Sequence, residues 1–137
     1  MDRLLKLALK VTAASGLIFF DQAYASDLAG AWATSTDQCS QVFVRKGRAK
    51  QIGFTALSEQ HGGGFIVEAD RLRGKFANCK IKTMKEDGEN VNIIAECATD
   101  IMLSNVQFSL KRLDSDKISR TFAGMPDMEI RYYRCPM

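Results

Sequence analysis

The amino-acid sequence predicts an all-β protein: a small antiparallel up-and-down barrel of about eight strands, held by two disulfides. Helical periodicity is scarce after residue 26, short β-rich runs dominate, and four cysteines are present in a short chain. With 137 residues, of which 46% are hydrophobic and 26% charged, the chain has ordinary globular composition and room for one domain.

The β-rich runs alternate apolar and polar residues, which is typical of strands with one face in a core. Phe43, Phe54, Phe65 and Phe76 recur every 11 residues. This spacing predicts a meander in which each step of strand and turn gives one phenylalanine to the core. Glycine, aspartate and basic residues mark the turns between the runs. The predicted strands cover residues 28–34, 41–46, 51–57, 64–70, 74–84, 90–98, 106–113, 117–122 and 129–135.

Residues 1–25 are predicted to be a cleaved secretory signal peptide. A basic leader precedes the apolar run 11–20, and the small-x-small pattern Ala-Tyr-Ala follows at 23–25. The run is too short to cross a hydrocarbon core, which needs about 20 apolar residues. We therefore expect no stable membrane insertion after cleavage, a mature domain at residues 26–137, and a periplasmic or secreted protein.

The four cysteines are Cys39, Cys79, Cys97 and Cys135. An even number of cysteines in a small exported domain indicates a disulfide framework, here with three possible connectivities. A zinc site is not expected, because the sequence has no Cys-x-x-Cys pair and His61 is its one histidine.

The apolar faces of two predicted strands favour one pairing. Cys79 and Cys97 both lie at odd-numbered positions among apolar residues. In an antiparallel pair the numbers of opposite residues have a constant sum, and the two apolar faces match when that sum is 176. A two-residue Asp87-Gly88 turn would give 175 instead, so we expect a three- or five-residue loop. Cys79 would then pair with Cys97 and Cys39 with Cys135. The alternative, Cys39–Cys79 with Cys97–Cys135, stays open at this stage.

No catalytic constellation is evident, and we predict that the protein is not an enzyme and carries no cofactor or metal. The loop at 61–64, His-Gly-Gly-Gly, lacks the nucleophile elbow and second histidine that an oxyanion-hole loop requires. The formal net charge is only +3, which gives no nucleic-acid footprint. Four cations crowd one predicted turn and are candidate partner-binding residues: Arg45, Lys46, Arg48 and Lys50.

Gly30-Ala31-Trp32 opens the first predicted strand, with Cys39 seven residues beyond the tryptophan. This Gly-x-Trp start resembles that of lipocalins and of small periplasmic metalloprotease inhibitors of Gram-negative bacteria. The second cysteine pair departs from the inhibitor pattern. The resemblance implies a lipocalin-like barrel whose N-terminal segment enters a protease cleft, which here would be Ser26, Asp27, Leu28 and Ala29. Trp32 itself is expected to be structural, packed across one barrel end.

These observations predict a non-catalytic exported barrel that binds a protein partner, with hydrolase inhibition or a structural role in the envelope as its possible uses. The alternative is a lipocalin-type binder of a small apolar ligand in the barrel mouth, which requires a hollow interior. Large side chains predicted to point inward favour a filled one. They are Phe43, Phe54, Phe65, Phe76, Phe108 and Phe122.

Overall fold

The structure is a computed structural model that describes residues 26–137 and, before them, only Gly16. The predicted signal peptide therefore lies outside the described residues, apart from that glycine. Ten strands form: β1 Gly30–Ala33, β2 Phe43–Lys46, β3 Gln51–Phe54, β4 Gly64–Val67, β5 Arg71–Arg73, β6 Asn78–Asp87, β7 Asn90–Ala98, β8 Leu103–Asp114, β9 Lys117–Phe122 and β10 Met125–Cys135. The helical segments are short: 3₁₀ turns at Ser26–Leu28, Thr36–Gln38 and Ser58–His61, and α1 at Cys39–Val42.

Eight of these strands close into an antiparallel barrel in the order β1-β10-β9-β8-β7-β6-β5-β4. Each barrel strand pairs with the barrel strands before and after it in the chain, and β1 closes the ring by pairing with both β4 and β10. The predicted fold class is confirmed. The hairpin β2–β3 stands apart as a two-stranded sheet between β1 and β4 in sequence.

Two hydrophobic clusters divide the molecule into a barrel and an outer layer. The barrel interior is filled by one cluster, which includes Trp32, Ile93 and Ile118, all fully buried. The other lies on the outward-facing side of β1, β4 and β10, where α1 and the β2–β3 hairpin cover it. Its buried members are Ala31, Ala33, Cys39, Val42, Phe43, Ile66 and Cys135.

The prediction that each eleventh residue gives a phenylalanine to the barrel core is wrong for three of the four positions. Phe43 and Phe54 pack against each other in the outer layer, with ring centroids 5.3 Å apart. Phe76 lies in the connection before β6 and is 72% exposed. Only Phe65 packs on the interior cluster. The regular spacing of the phenylalanines does not reflect a continuous meander. Residues 34–63 form an insertion between two barrel strands, β1 and β4, and lie outside the barrel wall.

Both predicted disulfides, Cys39–Cys135 and Cys79–Cys97, are confirmed. The expected longer loop between β6 and β7 is wrong, because Asp87 pairs with Asn90 across a two-residue turn. The register shifts between Ile81 and Thr83, because no residue of β7 pairs opposite Lys82. This β-bulge reconciles a tight turn with matched apolar faces, since one extra residue in β6 restores Cys79 to its place opposite Cys97.

Two disulfides indicate an oxidising environment outside the cytoplasm. Between residues 26 and 137, no helix has the length and apolar character needed to cross a bilayer.

Candidate functional site

The barrel has two ends that differ in construction. In an up-and-down barrel, alternate connections lie at the same end. The end that we call the capped end carries the turns at 68–70, 88–89 and 115–116, together with the 3₁₀ turn Ser26–Leu28. The other, which we call the apolar end, carries the connections at 74–77, 99–102 and 123–124 and the base of the outer layer.

The capped end is closed by a chain of contacts centred on Trp32. The Trp32 indole Nε1 donates a 2.8 Å hydrogen bond to the Leu28 carbonyl, and the Leu28 side chain is only 2% exposed. The Arg134 guanidinium packs 4.4 Å from the Trp32 ring and bonds the Asp116 carboxylate at 3.1 Å. It also donates to the carbonyls of Asp27, Ala29 and Ser115. Trp32 thus lies where a structural plug was expected.

The segment expected to enter a protease cleft forms part of this cap. Leu28 is buried in the barrel core, while the Asp27 carboxylate lies 2.6 Å from the Arg112 guanidinium. The backbone carbonyls of Asp27 and Ala29 are held by Arg134. In this arrangement Ser26, Asp27, Leu28 and Ala29 are a docked turn and not a projecting peptide.

The predicted basic turn forms the exposed tip of the β2–β3 hairpin. Arg45 donates to the Lys50 carbonyl at 2.8 Å, and the Lys46 ammonium donates to the Phe54 carbonyl at 2.7 Å. Lys50 has a positive φ of 49°, and Arg48 is exposed beside it. These four cations belong to the outer layer, so the fold does not join them with residues 26–29 into one site.

A cleft of about 720 Å³ separates this hairpin from the connection after β5. Two of its three cations have carboxylate partners, since Arg73 bonds Glu68 at 2.7 Å and Lys75 bonds Glu59 at 2.5 Å. The third, Lys46, donates to a backbone carbonyl. The hydrogen bond from Lys75 lowers the pKa of the Glu59 carboxyl. Of the cations that line the cleft, only Lys46 forms no ion pair with any residue from 26 to 137.

Exposed apolar side chains gather instead at the apolar end. Three successive residues, Ile101, Met102 and Leu103, are 92%, 60% and 66% exposed where β7 turns into β8. Phe76, in the connection before β6, and Met125 and Met128, at the start of β10, are each at least 43% exposed. Sequence reasoning missed this surface, although an apolar triplet directly after the turn residues Thr-Asp at 99–100 was its available signal.

Two aspartates border these side chains, while the Lys75 ammonium lies 5.3 Å from the Phe76 ring. Asp100 directly precedes Ile101, and Asp127 lies between Met125 and Met128; both aspartates are exposed. Neither forms an ion pair with any residue from 26 to 137.

One cation faces the interior near this end. The Arg120 guanidinium lies 4.5 Å from the Phe108 ring and 4.6 Å from the Phe122 ring. Its Nε atom is buried and has no hydrogen-bond partner in the described chain. Burial lowers the pKa of Arg120, and the neighbouring Tyr132 opposes that shift.

Across residues 26–137, no group of three His, Cys, Asp or Glu residues is placed to hold a metal ion. Comparisons of the chain with protein-family models, curated proteins and solved structures give no match.

Proposed function

We propose that this chain is a non-catalytic binding protein, periplasmic or secreted, whose apolar end docks on a protein partner. The observation that carries the proposal is the concentration of exposed apolar side chains at one barrel end: Phe76, Ile101, Met102, Leu103, Met125 and Met128. Apolar patches that a folded chain leaves in water are typical of interaction surfaces.

These side chains come from three separate parts of the barrel, namely the connection before β6, the connection and first residue of β8, and the start of β10, so they are not the accidental exposure of one strand edge. Met and Phe are also enriched at protein interfaces, where methionine adapts to an irregular partner surface. Ile101, at 92% exposed, has the most apolar surface to bury on binding.

The two aspartates beside the apolar residues indicate which kind of partner would bind. Asp100 and Asp127 lie next to the apolar residues and have no cation opposite them in residues 26–137. An anionic lipid surface would repel these carboxylates. A protein with an apolar patch bordered by lysine or arginine would complement them. A hydrolase as that partner, and inhibition as the result, rest on the Gly-x-Trp resemblance alone.

A lipocalin-type ligand chamber has less support. The barrel interior holds the main hydrophobic cluster, including Trp32, Val91 and Ile93, all fully buried. A ligand of lipocalin type would have to displace these side chains.

The test places a photo-crosslinking residue at Met102 in protein expressed in its own envelope, and then measures binding of the cross-linked partner to the purified chain. We expect the double variant Ile101→Asp/Met102→Asp to lose at least about tenfold in affinity, because two central apolar contacts would be replaced by charge. Leu57→Asp is the matched control, since Leu57 is 53% exposed but lies in the outer layer. Circular dichroism checks that each variant folds.

Three results would count against the proposal. They are no cross-linked protein at position 102, undiminished binding by the double variant, and an equal loss of binding in Leu57→Asp.

A further inference from the structure

Three arginines of the barrel occupy inward positions, and they differ in their counterions. Arg112 lies 2.6 Å from the Asp27 carboxylate and 3.0 Å from that of Glu86, and Arg134 lies 3.1 Å from Asp116. Arg120 forms no ion pair with any residue of 26–137. Partial burial costs this cation hydration, and the described chain offers it two aromatic rings and Tyr132 in place of an anion.

The surroundings of Arg120 are almost entirely apolar. Strand pairing places it between Leu110 of β8 and Ile130 of β10, both of which belong to or pack on the interior cluster. Phe108 and Phe122 supply the rings beneath its guanidinium. Tyr132, which is 8% exposed, is a polar neighbour from β10.

This geometry leaves a particular kind of donor free. The N–H groups of a guanidinium lie in its plane, so rings packed against it do not consume them. In-plane donors match the two oxygens of a carboxylate, with which arginine forms paired hydrogen bonds. Phe122 ends β9 directly before the connection 123–124, so Arg120 lies two residues from the apolar end of its strand.

We propose that Arg120 binds a carboxylate carried on an apolar chain, with the Tyr132 hydroxyl as a second donor and the apolar end receiving the chain. Two sources supply this chemistry: an alkyl carboxylate, or the free C-terminus of an apolar polypeptide segment. Binding at Arg120 does not require a protein to dock on the apolar end, because it involves a single cation on the inner face of β9.

The experiment titrates the full mature protein by calorimetry with two pairs of probes. The first pair is decanoate and decanol, and the second is the peptide acetyl-Ala-Leu-Leu-Phe with a free or an amidated C-terminus. At least one carboxylate probe is expected to bind about tenfold or more tightly than its neutral counterpart, because a charged acceptor strengthens the hydrogen bonds that a guanidinium donates. Arg120→Met should abolish that preference, whereas Arg48→Met, which removes an exposed cation of the β2–β3 hairpin, should keep it.

The two probe pairs separate the sources: a preference for decanoate alone points to an amphiphile, and one for the peptide alone points to a polypeptide terminus. The proposal is overturned if neither carboxylate binds better than its neutral counterpart, or if Arg120→Met retains the preference. The ¹⁵N shift of Arg120 Nε gives a second readout, and it should move on addition of the preferred probe. Rim variants such as Ile101→Asp/Met102→Asp test protein docking separately, so either proposal can fail without the other.

Discussion

Each end of the barrel has an inward-facing arginine packed over aromatic rings, but the two arginines differ in their hydrogen-bond partners. At the capped end, Arg134 over Trp32 also bonds a carboxylate and three backbone carbonyls. At the apolar end, Arg120 over Phe108 and Phe122 has no carboxylate within the described chain. The difference teaches that counterions and carbonyl acceptors, more than the ring contact, decide whether such an arginine closes an end.

The largest contrast should come from removing one aromatic side chain at each end. Trp32→Ala empties a fully buried site and should lower the free energy of unfolding by about 3–5 kcal/mol. Phe76→Ala, at a side chain that is 72% exposed, should change it by less than about 0.5 kcal/mol. Urea unfolding of both variants measures the contrast, and similar losses would mean that the two ends are equally packed.

The second test concerns the polar part of the cap. Arg134→Met removes hydrogen bonds to three solvent-accessible carbonyls together with the contact on the Trp32 ring, and it should destabilise the fold by about 1–2 kcal/mol. Arg131→Met is the control three residues earlier, because Arg131 is exposed and pairs only with Glu129 at 3.6 Å. Its effect should stay below about 0.5 kcal/mol. Equal effects in urea unfolding would show that Arg134 does not hold the cap.

The third test repeats the substitution at the apolar end. Arg120→Met should lower stability by less than about 1 kcal/mol, because the lost ring contact is offset by removal of an unpaired, partly buried charge. Thermal melts beside Arg134→Met provide the comparison. A loss as large as that of Arg134→Met would show that Arg120 is structural, like its counterpart.

The smallest expected effect concerns the pair that joins the apolar end to the outer layer, Lys75 and Glu59. The hydrogen bond from Lys75 lowers the pKa of Glu59, so its stabilising contribution is present above the ordinary carboxyl pKa. That contribution is lost as the pH falls through the lowered value. The melting temperature of Glu59→Gln should therefore be slightly lower than that of the wild type at neutral pH, and the two should be equal in acid. A gap that persists in acid would assign the effect to something other than this charge.

The sequence was sufficient for the features that depend on face and spacing. Alternation around Cys79 and Cys97 predicted their register, because a slip of one residue would expose a whole apolar face. It did not predict the bulge at Lys82, because strict alternation puts Thr83 on the same face as Ile81, whereas Met84 is the next side chain of β6 that packs on the interior cluster. Local patterns also could not separate Phe43 from Phe65, because the inward-facing and outward-facing sides of β1 and β4 both meet apolar layers.

The binding surface was harder to predict than the fold. The basic turn at 45–50 and the segment 26–29 stand out in sequence by charge and position, whereas Ile101, Met102 and Leu103 resemble the start of any buried strand. Their exposure follows from β8 beginning at the very edge of the barrel, which only the assembled sheet shows. The sequence likewise could not single out Arg120, because the lack of a carboxylate partner is apparent only once the strands are assembled.

The bulge in β6 has a consequence for how this chain can change in length. Lys82 and its neighbour Thr83 are both exposed, and Ile81 and Thr83 pair with the adjacent residues Ala95 and Ile94. Deleting Lys82 would therefore make the ladder regular while Gly88 and Glu89 keep their turn and Cys79 stays opposite Cys97. The middle of a ten-residue strand, ordinarily the least tolerant place for a deletion, is here a point where the gene can lose one codon without uncoupling the disulfide from the hairpin.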